Sequence, residues 1–368
     1  MNSKSLWRAT LSLVALMMLG SARAQDDEGA RYTTLEAASG TEAVALRNAI
    51  APLFDEERVG TTQSLLIMRD GHIIAERYAD GFGPDTKLLS RSIAKTVTAV
   101  LVGLMVSDGR LALDVPVPLA TWDQPGDPRG GITLRHLLTM SSGLEHREEG
   151  DPLSTSDAVR MLFTDGAQDM AAYAESKPVA ARPGTRFTYS TADTMIVSDL
   201  MTRMLTDRTD ASARRGAMNE FITGRLTQPV GLPSLTAEYD ARGTMIGGAM
   251  LHMTTRDYAR FGQFLLQRGR MDGRQILSAR WVDFMTRPSA RNPAYGGSVW
   301  LNREGADNLL FPGRGSRQIF ACVGHHGQYV IISPTQNLVI VRMGITGEAK
   351  RAALSQALAQ LVEVLPTG

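Results

Sequence analysis

Residues 64–78 read SLLIMRDGHIIAERY and contain two runs of β-forming residues, SLLIM and IIAERY. Asp70 and Gly71 lie between these runs. Because Asp-Gly favours the tight turns that join antiparallel strands, this stretch predicts a β-hairpin. The sequence therefore predicts that a sheet begins early in the chain.

A second pair of apolar runs lies near the other end of the chain. Residues 328–333 (QYVIIS) and 338–343 (LVIVRM) are separated by Pro-Thr-Gln-Asn, which predicts two strands joined by a turn. A helix is predicted near residues 42–54, and another in residues 348–365, where leucines recur at helical spacing. The C-terminal helix presents one apolar stripe and can cover a face of a sheet.

The middle of the chain is richer in helical periodicity and is interrupted by loops rich in Pro and Gly, such as residues 123–131. Distant strands that enclose a helical middle predict a mixed α/β (α+β) fold. We expect an antiparallel sheet flanked by N- and C-terminal helices, with an inserted, mainly helical subdomain. The expected α/β domain comprises residues 25–95 and 236–368, and the helical subdomain residues 96–235.

Composition and charge exclude several classes of protein. The chain has 368 residues, of which 43% are hydrophobic and 21% charged, so it can bury a core and is neither disordered nor fibrous. Lys and Arg number 39 against 38 Asp and Glu, a net charge of +1 that offers no basic surface for nucleic acid. No apolar run reaches the ~18 residues that span a bilayer. We therefore expect no nucleic-acid partner and no membrane span.

Residues 1–24 have the pattern of a signal peptide. Lys4 and Arg8 precede an apolar stretch at residues 10–20, and the segment ends in Ala-Arg-Ala. The alternative is a buried N-terminal helix, but the segment has no acidic residue and a DDEG run follows it, which favours export to the bacterial periplasm. Removal of its three cations, the third being Arg23, lowers the net charge from +1 to −2.

Cys322 is the one cysteine of the sequence, so no intrachain disulfide can form. It could act as a nucleophile only beside a base in a suitable environment. Because it lies in the apolar stretch QIFACVG, we predict a small core residue that takes no part in the functional site.

Two adjacent histidines, His325 and His326, raise the question of a metal site. The remaining histidines occur singly, without the H-x-x-x-H or H-E-x-x-H spacing of zinc proteins: His72, His136, His146 and His252. The sequence therefore predicts no zinc site.

Residues 92–95 (SIAK) begin a predicted buried helix, because an apolar series follows them: Val97, Val100, Leu101, Leu104 and Met105. The i, i+3 spacing places Ser92 and Lys95 on one helical face. A neutral amine there could accept the serine proton, and burial of a lysine disfavours its charged form. Free N–H groups at the helix N-terminus could bind an acyl oxyanion. Ser-x-x-Lys also occurs by chance in most long proteins, so the assignment depends on other parts of the chain.

Two further segments could complete such a site. Tyr189, followed by Ser190 and Thr191, comes after a turn. A tyrosine beside a lysine can act as a base toward serine or as an acid toward a leaving group, although a tyrosine alone is more often a core or surface residue. Residues 324–328 (GHHGQ) begin a predicted strand, where small residues let a substrate carbonyl accept a backbone N–H.

In this order, SIAK at residues 92–95, YST at 189–191 and HHG at 325–327 resemble the three motifs of β-lactamases and penicillin-binding proteins. The second motif begins with a tyrosine, and in this it resembles the second motif of one branch of that superfamily. This branch contains class C β-lactamases, D-alanyl carboxypeptidases of that type, family VIII carboxylesterases and 6-aminohexanoate-dimer hydrolases.

The resemblance extends beyond the motifs. Residues 132–144 (ITLRHLLTMSSGL) look like the segment that follows the nucleophile helix in this superfamily. Residues 247–250 (GGAM) and 254–262 (TTRDYARFG) look like the stretch that enters the helix packed behind the sheet. Together these segments cover residues 60–345, which implies a β-lactamase/DD-peptidase-like fold.

The resemblance implies a role for each motif. Ser92 would be the acylated nucleophile, Lys95 its proton acceptor, and Tyr189 the acid/base at the leaving group. The backbone N–H groups of Ser92 and Gln328 would form the oxyanion hole, each donor being worth roughly 3 kcal/mol in the transition state. Water would then release the acyl group, and no metal or organic cofactor would be required.

Five residues are expected to contact the substrate: Thr191, Tyr239, His325, His326 and Gly327. The second motif of the family usually ends in Asn, whereas Thr191 offers one hydroxyl, which speaks against recognition of a β-lactam side chain. His325 replaces the lysine of the third motif with a group that titrates near neutrality, which weakens carboxylate binding. Tyr239 precedes the Gly-Gly segment, where relatives that cut linear amides or esters place aromatic residues; a plain surface tyrosine is an equal alternative.

These residues predict an exported serine hydrolase that cleaves small ester or amide bonds through a Ser92 acyl-enzyme. The substrate is a small molecule; its acyl and leaving groups, and the oligomeric state, stay open. A β-lactamase or D-alanyl carboxypeptidase is one alternative. Another is a catalytically silent relative that binds peptidoglycan or a partner, although Ser92, Lys95 and Tyr189 are all present. An α/β-hydrolase would need G-x-S-x-G, which the sequence lacks.

Overall fold

The computed structural model describes residues 32–37 and 40–367. The signal peptide predicted at residues 1–24 lies outside the described residues. The strands are β1 (Tyr32–Leu35), β2 (Thr61–Arg69), β3 (His72–Tyr78), β4 (Lys87–Leu89), β5 (Thr236–Ala237), β6 (Leu251–Thr254), β7 (Arg270–Met271), β8 (Arg274–Gln275), β9 (Trp300–Leu301), β10 (Phe320–Gly324), β11 (Gln328–Ser333) and β12 (Leu338–Ile345). The helices are α1 (Ala43–Ile50), α2 (Glu56–Val59), α3 (Ile93–Ser107), α4 (Leu134–Leu138), α5 (Asp157–Phe163), α6 (Met170–Glu175), α7 (Thr191–Leu205), α8 (Ala211–Ile222), α9 (Gln228–Val230), α10 (Thr255–Leu266), α11 (Ala279–Met285) and α12 (Arg351–Val364).

The hairpin of β2 and β3 lies where the sequence predicts it. Asp70 and Gly71 form its turn with left-handed φ angles of 51° and 80°. Glycine adopts this conformation without strain, and aspartate is among the residues that tolerate it. The two strands pair antiparallel, with Leu66 opposite Glu76.

The two ends of the chain meet in one sheet. In the described part of the chain this sheet has seven strands in the order β1-β3-β2-β12-β11-β10-β9, all antiparallel to their neighbours. Strand β12 lies beside β2, with Ile340 opposite Ile67. The mixed α/β fold with an antiparallel sheet and flanking helices is thereby confirmed.

Alternate residues of the central strands bury opposite faces of the sheet. On β12, Leu338 and Ile340 belong to the core beneath α1 and α12, whereas Val339 and Val341 belong to the larger core on the other face. Helix α10 approaches that second face so closely that a Cβ added to Gly262 would lie 2.6 Å from Val339 Cγ1. The predicted terminal helices and the helix behind the sheet are therefore present.

Helices α3 to α9 lie in sequence between β4 and β5. Helix α3 is buried along most of its length because its sequence is apolar on nearly every side. It crosses the domain boundary that the sequence predicts after residue 95, and the division into domains stays a prediction. Across residues 32–37 and 40–367, no helix combines the length and apolar character needed to span a membrane.

Candidate active site

Ser92 lies where the chain enters α3. It is the residue before the first helical position, and its side chain is partly exposed. The preceding residue, Arg91, has a left-handed φ of 48°, which is unfavourable for a residue that carries a Cβ. Such strain persists where the surrounding packing enforces it, and it is frequent at functional sites.

Lys95 lies one helical turn after Ser92 and is only 1% exposed. Its Nζ has three oxygen partners: Ser92 Oγ at 3.0 Å, Thr191 Oγ1 at 2.8 Å and the Gly248 carbonyl oxygen at 2.8 Å. The spacing of the first motif thus places the amine against the candidate nucleophile.

The protonation of Lys95 is balanced between burial and charge. Burial lowers the pKa of Lys95 to about 8, while the negative charges of Glu148 and Asp193 oppose this shift. About a tenth of the lysine is therefore neutral at pH 7. A neutral amine is accessible at modest cost, as a general base requires.

Tyr189 lies in the non-helical segment that enters α7 and completes the group around Ser92. Lys95 Nζ is 5.0 Å from the centre of the Tyr189 ring, and the Ser92 side chain acts on the Tyr189 phenol by opposing the rise of its pKa. Tyr295 and Trp300 pack on the ring at centroid distances of 5.9 and 5.6 Å, which fixes its orientation. Burial raises the pKa of Tyr189 well above its usual value, so the phenol keeps its proton at neutral pH.

Thr191 is the first residue of α7. The N-cap of this helix, Ser190, accepts a hydrogen bond from the backbone N–H of Asp193 at 3.0 Å. The Thr191 hydroxyl accepts a hydrogen bond from Lys95. A residue expected at the substrate therefore contacts the lysine itself.

Glu148 lies against Thr191 in the same group of residues, although no sequence motif contains it. Its Oε2 accepts hydrogen bonds from the Thr191 backbone N–H and from Nε2 of His146, each at 2.7 Å. Its Oε1 accepts a hydrogen bond of 2.5 Å from the Thr191 hydroxyl. Burial alone would raise the pKa of Glu148, but the hydrogen bond from His146 and the charge of Lys95 lower it to about 2. Glu148 is therefore a carboxylate at neutral pH.

Asp193 is a second acid whose charge acts on Lys95, and it too lies outside the sequence motifs. It is fully buried, and its Oδ1 accepts a hydrogen bond from Ser142 Oγ at 2.8 Å. Its Oδ2 has no hydrogen-bond partner within the described ranges. Burial raises the pKa of Asp193 to about 7, against the hydrogen bond from Ser142 and the charge on His146. Asp193 therefore changes its charge near neutral pH.

Gly324 brings the end of β10 against the loop that precedes Ser92. A Cβ added to Gly324 would lie 2.6 Å from the Ser90 carbonyl oxygen and 3.0 Å from Arg91 Cβ. His325 follows in the hairpin turn, and its ring contacts that of His326 with centroids 3.9 Å apart and the ring planes tilted by 39°. Partial burial of the ring and the charge of Arg91 lower the pKa of His325, so this residue is mainly neutral at pH 7.

Gln328 and Gly327 complete the same hairpin. Gln328 is the first residue of β11, and its side-chain oxygen accepts a hydrogen bond from the Gly344 N–H at 2.9 Å. The Gly327 carbonyl oxygen accepts a hydrogen bond from the buried Arg342 at 2.8 Å. These two hydrogen bonds join the turn to strand β12. No side-chain hydrogen bond between described residues joins either residue to Ser92.

Tyr239 lies apart from this group. Its hydroxyl donates a hydrogen bond to Asn219 of α8 at 2.5 Å, and its ring faces the Arg215 guanidinium at 5.8 Å. Among the described side chains, no hydrogen bond or ring contact connects Tyr239 to Ser92 or Lys95. The structure does not bring this predicted substrate-binding residue into contact with the other candidates.

Cys322 is buried in the core on the α3 side of the sheet. Burial raises the pKa of its thiol to about 12, which leaves almost no thiolate at neutral pH. Within residues 32–37 and 40–367, no group of three or more His, Cys, Asp or Glu side chains is arranged to hold a metal ion.

Comparison with known proteins identifies the family of the chain. A protein-family model described as Beta-lactamase matches residues 46–361. The 6-aminohexanoate-dimer hydrolase of Paenarthrobacter ureafaciens is 22% identical over 313 residues, covering 77% of this chain and 72% of the relative. Esterase EstB of Burkholderia gladioli is 30% identical over 175 residues, covering 41% of this chain and 44% of the relative.

Solved structures share the same fold. A family VIII carboxylesterase matches with a TM-score of 0.63 and 16% identity, covering 89% of this chain and 98% of that chain. A penicillin-binding protein homologue from Caulobacter crescentus matches with a TM-score of 0.64 and 18% identity, covering 90% of this chain and 99% of that chain. Likeness at these identities establishes the fold.

Proposed function

The chain belongs to the Beta-lactamase family of serine hydrolases, and we propose that it cleaves a small ester or linear amide through an acyl-enzyme on Ser92. The observation that carries this proposal is the 3.0 Å contact between Lys95 Nζ and Ser92 Oγ. It joins a partly exposed hydroxyl to a buried amine, the pairing that nucleophilic catalysis by serine needs.

The surroundings of Lys95 support its role as general base. A neutral amine has two N–H donors and one lone pair. Thr191 Oγ1 and the Gly248 carbonyl oxygen, each 2.8 Å away, accept the two donors and leave the lone pair for the Ser92 hydroxyl. In acylation, Ser92 Oγ bonds to the substrate carbonyl carbon and its proton passes to Lys95.

Tyr189 is suited to protonate the leaving group. Its raised pKa keeps the phenol protonated, and its hydroxyl adjoins Ser92. When the tetrahedral intermediate breaks its C–O or C–N bond, Tyr189 donates a proton to the departing alcohol or amine, and the Lys95 ammonium restores the phenol proton. Water then attacks the ester on Ser92. Its oxygen leaves with the carboxylic acid, and one of its protons returns to Ser92.

For the oxyanion hole we assign the backbone N–H groups of Ser92 and His325. Neither donates a hydrogen bond to a backbone acceptor among the described residues. The close approach of Gly324 to Ser90 supports a position of this hairpin beside the nucleophile. We choose His325 as the second donor over Gln328, because Gln328 already pairs with Gly324 within the sheet. Two such donors stabilise the charge that develops on the carbonyl oxygen.

The substrate we propose has no carboxylate next to the scissile bond. Glu148 adds a negative charge that acts on Lys95, and His325 lacks the permanent charge of the lysine in penicillin-type enzymes. The Thr191 hydroxyl is already engaged by Lys95 and Glu148, so it is not free to bind a substrate amide. These features favour an ester or linear amide over a β-lactam or a D-alanyl peptide.

Lys95 Nζ contacts Ser92 Oγ and lies against the Tyr189 ring, and this grouping supports an active enzyme over a silent binding relative. On the pattern of residues 1–24 we further propose that the enzyme is exported.

A fluorophosphonate probe with an intact-mass readout tests the proposal. We expect one adduct on the wild-type protein and none on Ser92→Ala. Turnover should then be compared on p-nitrophenyl esters, nitrocefin, D-Ala-D-Ala peptides and aminohexanoate oligomers, with esters or oligomers as the better substrates. A folded wild-type protein without an adduct would refute the hydrolase, and nitrocefin as the best substrate would refute the substrate class.

A further inference from the structure

We propose that Glu148 is a positioning residue for the general base, because it sets the direction of the hydrogen bonds that link Thr191, Lys95 and Ser92. The inference rests on the proposed function of Ser92 and Lys95. It assigns a task to a carboxylate that lies outside the three sequence motifs.

The direction of these bonds follows from the chemistry of the carboxylate. An ionised carboxylate only accepts hydrogen bonds. The 2.5 Å contact between Glu148 Oε1 and Thr191 Oγ1 therefore uses the hydroxyl hydrogen of Thr191. The Thr191 oxygen then faces Lys95, 2.8 Å away, with lone pairs only, so Lys95 must be the donor.

The second hydrogen-bond partner of Lys95 can also act only as an acceptor. The Gly248 carbonyl oxygen, at 2.8 Å, has no hydrogen to donate. Both N–H groups of the neutral amine are thus committed, and its lone pair faces Ser92 Oγ at 3.0 Å. Glu148 therefore determines, through one intervening hydroxyl, that the base is ready to accept the serine proton.

A threonine in the second motif makes this control necessary. A hydroxyl rotates freely and can donate to Lys95 as readily as it accepts from it. If Thr191 donated to the amine, the lone pair of Lys95 would be used and Ser92 would lose its base. Glu148 excludes that arrangement, and the chain thereby uses a threonine where the family pattern has an asparagine.

The position of Glu148 is itself well defined. Its Oε2 is held by the Thr191 backbone N–H and by His146 Nε2, each at 2.7 Å. The first of these donors is a free N–H at the N-terminus of α7, a location that favours negative charge. The His146 side chain is completely buried and links the carboxylate to the protein interior.

Besides orienting the hydrogen bonds, Glu148 raises the pKa of Lys95 through its negative charge. The acids that face Lys95 are Glu148 and Asp193, and the Tyr189 ring lies beside Nζ. The titratable groups that face Glu148 are Lys95, His146, Tyr189, Tyr295 and His325. Burial lowers the pKa of Lys95 and the Glu148 charge raises it. The pKa of Lys95 therefore falls when the Glu148 charge is lost.

The experiment measures the rate of Ser92 labelling by a fluorophosphonate between pH 5 and 10. We expect Glu148→Gln to move the rise of the rate to lower pH by about one unit, because Lys95 loses a stabilising negative charge. The maximal rate should fall by about a hundredfold, because the Gln amide can donate to Thr191 and reverse the hydrogen bond. Glu149→Gln is the matched control: this adjacent exposed acid undergoes the same charge change and should leave both quantities at their wild-type values.

Three variants separate the direction of the hydrogen bonds from folding. Glu148→Asp keeps the negative charge on a shorter side chain. The labelling rate should therefore rise at the same pH as in the wild-type protein, while the maximal rate falls. Thr191→Val keeps the shape and removes the hydroxyl, whereas Thr191→Ser restores the hydroxyl. We therefore expect slow labelling of the valine variant and near wild-type labelling of the serine variant.

The outcomes distinguish a failure of the proposed function of Ser92 from a failure of the role of Glu148. Wild-type protein that is not labelled at Ser92 would overturn the proposed function, and the role of Glu148 with it. Normal wild-type labelling together with an unmoved pH profile in Glu148→Gln would overturn the role of Glu148 alone. If Glu148→Gln does not fold, equal labelling rates of the valine and serine variants at residue 191 would overturn it.

Discussion

Lys95 Nζ lies 2.8 Å from Thr191 Oγ1, and this contact joins the first turns of α3 and α7. The two residues are 96 positions apart in the sequence. Ser92 is hydrogen-bonded to the same amine, and Glu148 accepts a hydrogen bond from the same hydroxyl. Four residues from three segments of the chain are therefore linked through Lys95 Nζ and Thr191 Oγ1. The chemistry of the site depends on the protonation and orientation of that nitrogen.

The pH dependence of acylation should report the ionisation of Lys95. The base must be neutral, and the pKa of Lys95 is lowered to about 8. The rate should therefore rise with pH and level off above pH 8 to 9. Stopped-time labelling of the wild-type protein by a fluorophosphonate measures this profile, and a rate that is constant from pH 6 to 9 would argue against lysine as the base.

Lys95→Met should separate catalysis from stability. Methionine has a similar length, and replacing a buried cation by an apolar side chain removes a desolvation penalty. We expect the acylation rate to fall by about a thousandfold or more, because base and nucleophile act as a unit. The midpoint of urea unfolding should stay close to that of the wild-type protein. A variant that unfolds at lower urea and retains its rate would point to a structural lysine.

Tyr189→Phe tests the acid role of the phenol. The phenylalanine keeps the ring contacts with Tyr295 and Trp300 and loses the hydroxyl beside Ser92. For an alkyl ester or amide, whose leaving group needs a proton, we expect kcat to fall by about a hundredfold or more. For a p-nitrophenyl ester, whose leaving group departs as an anion, the fall should be much smaller. Equal losses on both substrates would contradict the assigned role.

Gly324→Ala should disturb the approach of β10 to the nucleophile. The added Cβ would lie 2.6 Å from the Ser90 carbonyl oxygen, so strand or loop must shift. Displacement of an oxyanion donor by a fraction of an ångström should lower kcat by about tenfold to a hundredfold. Gly347→Ala is the control, because a Cβ there meets nothing within 4 Å. Steady-state kinetics on the best ester would compare them, and an unchanged kcat in Gly324→Ala would count against this placement.

Asp193→Asn should change how stability depends on pH. The pKa of Asp193 is raised from 3.8 to about 7 by burial, so the folded state resists ionisation. This group therefore costs stability as pH rises from about 4 to about 7, and the cost stays constant above that. We expect the stabilising effect of Asp193→Asn to be about 3 kcal/mol larger at pH 8 than at pH 5. Urea unfolding at both pH values measures it, and an equal effect would show that Asp193 does not titrate in this range.

Local patterns were sufficient to predict much of the fold. Asp70 and Gly71 identify a hairpin because a two-residue turn needs left-handed residues, and both adopt left-handed φ. The i, i+3 spacing of Ser92 and Lys95 predicts their contact because both lie in or beside one helix. The resemblance to β-lactamases supplied the order of the motifs and the enclosing sheet.

The rest of the site depends on tertiary contacts that no local pattern records. Glu148 lies in an irregular segment with several other charged residues, and its contacts with α7 and with His146 distinguish it from the exposed Glu149. Asp193 has the appearance of an ordinary acid in the first turn of a helix until its burial is known. Tyr239 donates a hydrogen bond to Asn219, and its role at the substrate stays a prediction.

Trapping the acyl-enzyme would show directly whether Ser92 is the nucleophile. The wild-type protein is mixed with a p-nitrophenyl ester, quenched in acid during turnover, digested and analysed by mass spectrometry. We expect the acyl mass on the peptide that contains Ser92, and neither adduct nor turnover in Ser92→Ala. An adduct on another residue, or Ser92→Ala protein that hydrolyses the ester at the wild-type rate, would contradict this role of Ser92.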